Sequence, residues 1–88
     1  MKSRKVFLGR DEQDQEILIA MELQLDSKQI VINTFPRTAI GDDFIEAMTS
    51  KWEEGETVEF PSEPTVISRS ADEEHLLPES IKTDSLEM

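Results

Sequence analysis

The sequence contains no cysteine, which excludes a disulfide framework, a zinc–thiolate site and a thiol nucleophile. It has one histidine, His75, set among the acidic residues Asp72, Glu73 and Glu74 with no nucleophile beside it in sequence. The three glycines, Gly9, Gly41 and Gly55, never cluster, so no phosphate-cradling loop can form. No apolar stretch approaches the ~18 residues of a membrane span. The apolar run Val6-Phe7-Leu8 after the basic start is far shorter than the ~7–15 residues of a signal-peptide core. A cytoplasmic location is the expectation.

Positive charge is also scarce. Nine Lys and Arg stand against twenty Asp and Glu, a net charge of −11 over 88 residues. A field of that sign repels phosphate backbones and anionic membranes, and favours solubility or a basic protein surface as partner. Lys2, Arg4, Lys5 and Arg10 gather near the start; with few aromatics beside them they read as neutralising nearby carboxylates, not as a nucleic-acid surface.

At this length one domain is the maximum, with a single core and stability of a few kcal/mol. Ile17, Ile19, Met21, Leu23 and Leu25 occupy alternate positions, the period of a half-buried strand. After the polar break at residues 26–29, Ile30 to Phe35 resumes β-branched character, which predicts an antiparallel hairpin closed by Pro36. Lys5 to Gly9 is a third, shorter strand, joined to the hairpin through an exposed loop at residues 11–15.

Beyond Pro36 the period changes. Phe44, Ile45, Met48 and Trp52 fall on one helical stripe, with Asp42 or Asp43 as cap and Gly55 as the left-handed stop. Glu56 to Phe60 reads as a last strand ended by Pro61. The predicted fold class is α+β: a small antiparallel sheet in β-β-β-α-β order with one helix packed on one face. It occupies residues 1–60. Residues 61–88, rich in Pro, Ser and Glu, read as a flexible acidic C-terminal tail.

No catalytic residues, metal site or cofactor emerge. Residues 11–16 concentrate oxygen ligands but lack the glycine and spacing of a calcium loop. A carboxylate acid–base pair needs one member desolvated in a cleft, and so thin a fold offers little depth. The chain is expected not to be an enzyme but a small acidic protein-binding module, an adaptor, regulator or assembly factor. Two features would carry binding. One is the sheet face turned away from the helix, or its edge, expected to show Leu18 and Val31 in one register and the opposite set in the other. It would meet a protein partner, or be covered by the tail or a second copy in a homodimer. The other is the tail, where Leu76, Leu77 and Ile81 interrupt an acidic segment in the manner of a short recognition element. The competing reading is an acidic inhibitor that mimics nucleic acid.

Overall fold

The computed structural model describes residues 2–24, 26–70 and 82–83. Three long strands lead: β1 (Lys2–Arg10), β2 (Glu16–Gln24) and β3 (Gln29–Pro36). A 3-10 turn (Arg37–Ala39) precedes helix α1 (Asp42–Ala47), which continues directly into a π-helical turn (Met48–Trp52). Strand β4 (Thr65–Ser70) and the two-residue β5 (Lys82–Thr83) complete the sheet. Its order is β4-β3-β2-β1-β5, with every neighbouring pair antiparallel. The α+β class and the single covering helix are as the sequence predicts.

The hairpin registers fix which side chains share a face. Leu18 stands opposite Phe35, Ala20 opposite Asn33 and Glu22 opposite Val31. In β1, Val6 faces Ala20 and Arg4 faces Glu22. Directly opposed residues lie on one side of an antiparallel pair, so this row forms the face under the helix. There Leu18, Ala20, Phe35, Ile40, Met48 and Trp52 make one buried cluster. The other face carries Ile17, Ile19, Ile30 and Ile32, a second buried cluster. Both periods of β2 are therefore apolar and both are buried, the pattern of a strand covered on two sides.

The helix starts at Gly41 with no side-chain cap. Asp42 and Asp43 lie instead in the first turn, where they complement the positive end of the peptide dipoles, and Asp42 pairs with Arg37. At the other end Glu53 N–H reaches back five residues to the Met48 carbonyl, at 3.1 Å. This wider turn keeps Met48 and Trp52 buried at 0% and 5% exposure. Gly55 ends the helix with φ at 98°, a conformation costly for any residue with a Cβ.

Two boundaries differ from the sequence reading. Residues 56–60 form no strand. Phe60 packs edge-on against Phe35 and Phe44, with ring centroids 5.0 and 6.2 Å away, and aromatic packing of this kind covers part of its ring without a sheet, leaving it 37% exposed. The next strand lies beyond Pro61 and Pro64, where Thr65–Ser70 joins β3. The sheet domain thus extends past the boundary expected at residue 60, and part of the expected tail is structural.

Candidate functional site

The face of β2 and β3 that holds Leu18 and Val31 is the one the helix covers, so the opposite of the two registers is realised. Leu18 is 1% exposed beneath Phe35 and Trp52, which removes it from any partner surface. Val31 is half-buried on the same face. Leu76, Leu77, Ile81 and His75 lie outside the described residues.

Where helix and sheet meet, Arg4 organises the contacts. Its Nε donates to Glu22 Oε2 at 2.9 Å, and one terminal nitrogen donates to the carbonyls of Trp52 and Glu56 at 3.0 and 3.2 Å. A guanidinium at the last helical carbonyls complements the negative end of the dipoles. Beside it, Glu53 accepts the Val6 backbone N–H at 2.6 Å. That N–H points out of the outer edge of β1, so Glu53 occupies a position where another strand could pair. Arg4 thus neutralises a carboxylate, as expected of the basic start, and Arg10 does so with Asp14 at 3.5 Å.

At the far end, the β1–β2 loop folds around one carboxylate. Asp11 Oδ1 accepts the N–H groups of Gln13 and Gln15, both at 2.9 Å. A shallow, open groove of about 270 Å³ runs from this loop over Ile17, Thr34, Pro36 and Ile67. Among the described residues no three His, Asp or Glu side chains are grouped to hold a metal ion, and no helix is long and apolar enough to cross a membrane.

Charge is segregated between layers. Residues 1–41 hold six acidic and six basic side chains and are net neutral; residues 42–63 hold eight acidic and one basic, a net of −7. The second stretch is the helix and the segment that follows it, packed on one face through Phe44, Ile45, Met48, Trp52 and Val58. Asp42, Asp43, Glu46, Glu54, Glu56, Glu59 and Glu63 are all exposed; Glu53 alone is half-buried. Sequence reading found the total charge but not this concentration, which a running count along the chain reveals. Compared with known proteins, the chain matches no family model, no curated protein and no solved structure.

Proposed function

We propose that the protein is a small acidic protein-binding module whose helix layer docks on a basic protein surface, as an adaptor, regulator or assembly factor would. The observation that carries this reading is the segregation of charge: the described residues of the sheet and its loops (2–24, 26–41, 65–70 and 82–83) have a net charge of +2, and they are backed by a layer of net charge −7 whose carboxylates, Glu53 apart, are exposed. Charges placed on one side produce a directed field that steers an oppositely charged partner and suppresses like-charged ones. A binding role also fits the groove, which is open and whose Asp11 carboxylate is engaged with the loop's own amides. If the partner's basic surface is itself a nucleic-acid site, the same layer acts as a mimic that occupies it.

The test is partner capture with the full chain and two charge-reversed variants. One carries Asp43→Lys, Glu46→Lys and Glu54→Lys in the helix layer; the other carries Glu12→Lys and Asp26→Lys in the hairpin loops. The helix-layer variant is expected to lose the partner that the loop variant and wild type retain. Equal retention by all three rejects the reading. Added duplex nucleic acid displaces the protein from the partner only in the mimic version.

A further inference from the structure

The two edges of the sheet are finished differently. Opposed residues in an antiparallel ladder alternate between pairs that exchange hydrogen bonds and pairs that do not. Val6 sends its N–H outward to Glu53, so Val6 and Ala20 form a non-bonded pair. Ala20 and Asn33 are then a bonded pair, and Asn33 and Val66 again a non-bonded one. By this alternation the N–H and C=O groups of Val66 and Ser68 point out of β4, away from β3.

On the β1 side the outward groups are taken: Glu53 accepts the Val6 N–H at 2.6 Å, and β5 pairs with Gly9 and Arg10. On the β4 side no described group bonds to the outward backbone of Val66 or Ser68. Both residues are exposed, Val66 to 56%. Edge strands are ordinarily protected by lysine, proline or a bulge. Thr65–Ser70 has none of these: its six residues pair in unbroken register with Gln29–Thr34, and Pro61 and Pro64 both precede it. Its one charge, Arg69, alternates to the face opposite Val66 and Ser68. An open, regular edge of this kind is a template for strand addition.

Charge selects the occupant. The chain leading into β4 carries exposed Glu59 and Glu63. Glu59 adjoins Phe60, which packs against Phe35 and Phe44 on the helix side, and Glu63 stands two residues before Thr65. A strand laid along β4 therefore meets carboxylates at its Thr65 end. A second copy is disfavoured on the same ground. Antiparallel pairing of two β4 edges has its two-fold axis normal to the sheet, which sets both helix layers, each of net charge −7, on one side.

We propose that β4 takes up an extended basic segment of a protein partner as an added strand. The segment's backbone pairs with Val66 and Ser68, and its lysine or arginine side chains lie at the Thr65 end beside Glu59 and Glu63. This rests on the docking of a basic partner argued above and supplies the backbone part of that contact.

The probe is a synthetic peptide of alternating threonine and valine with two lysines at its start, or in a second peptide at its end, titrated to millimolar concentration into the full chain. The Val66 and Ser68 amide signals are expected to shift, and their hydrogen exchange to slow by roughly tenfold or more in the bound state. N-methylation of one alternate set of peptide residues is expected to abolish binding, and of the other set to leave it. Ser68→Pro, at an N–H the ladder does not use, is expected to abolish it while the Ile67 and Arg69 amides stay protected. Unmoved Val66 and Ser68 amides overturn the proposal. Where the helix-layer amides shift instead, only the strand addition fails and the acidic docking surface stands. Edge shifts that persist when glutamate replaces the peptide lysines overturn the basic occupant and count against that docking surface as well. Protection of Val66 and Ser68 that grows with protein concentration in the peptide-free chain overturns the proposal in favour of a second copy.

Discussion

The Arg4 guanidinium lies 4.7 Å from the centre of the Trp52 ring, joining the first strand to the last turn of the helix. The same group holds Glu22, and the two side chains are only 16% and 13% exposed. Removing one member of a pair this sheltered leaves the other charge poorly solvated. Arg4→Met is therefore expected to cost about 2–4 kcal/mol, and Arg4→Met with Glu22→Met less than the sum of the single changes by about 1–3 kcal/mol. Urea denaturation of the four proteins in the cycle measures this coupling, and strict additivity would show that the pair does not hold helix to sheet.

The central hairpin was legible because its signal is local. Alternation from Ile17 to Leu23 specifies extended backbone whatever covers it, and the polar residues 26–29 mark the turn. The helix was equally plain from Phe44, Ile45, Met48 and Trp52. The faces were not, since Leu18 and Ala20 are apolar as well as Ile17 and Ile19, and alternation alone does not say which row meets the helix. The unbroken run from Ile17 to Met21 was the available clue to burial on both sides. Thr65–Ser70 was hidden by its neighbours: two prolines and several Ser and Glu give the surroundings a tail-like composition, while the strand is held by pairing to β3, a contact distant in sequence. The acidic layer was missed for a different reason: a running count along the chain shows its eight carboxylates against one lysine, but that they share one exposed layer is a property of the fold.

The β1–β2 loop depends on one carboxylate that accepts two backbone N–H groups. Asp11→Ala leaves both donors to water and is expected to cost about 1–2 kcal/mol, comparable to losing a helix cap. Asp11→Asn keeps an acceptor at the same place and is expected to cost less than half as much. Thermal or urea midpoints of the two variants decide between this arrangement and a loop held by the strands alone.

Lys28 sits in the left-handed region, with φ of 54°, at the exposed turn between β2 and β3. A Cβ there is strained by about 1–2 kcal/mol, whereas glycine enters the region freely but loses more entropy on folding. The balance favours Lys28→Gly, with an expected gain of about 0.5–1 kcal/mol and an unchanged urea m-value. A loss of stability would mean that the lysine side chain makes a contact worth more than the strain.

Since the two buried clusters lie on opposite sides of the sheet, small deletions in each are expected to act independently. Ile32→Val and Ile40→Val each remove one methylene from a buried site, for about 0.5–1.5 kcal/mol apiece. The double variant is expected to match their sum within about 0.5 kcal/mol. Chemical denaturation reads all three, and a larger departure would indicate that the sheet transmits repacking from one face to the other.

The carboxylates of the helix layer are exposed, and exposed charges act mainly on encounter. A rim charge changes the rate of association and its salt dependence, while the rate of dissociation follows the contacts made after docking. If the proposed docking on a basic surface holds, the association rate is thus expected to fall steeply as salt shortens the ~10 Å screening length at 0.1 M, with dissociation nearly constant. In the variant carrying Asp43→Lys, Glu46→Lys and Glu54→Lys the layer moves from −7 to −1, each reversal adding two charges, and the association rate is expected to drop by roughly tenfold or more and to lose most of its response to salt. Stopped-flow or surface-based kinetics at several ionic strengths separate the two rates. An effect of the reversals confined to dissociation would show that these carboxylates are buried contacts in the complex, and would replace a steering field with specific ion pairs as the basis of binding.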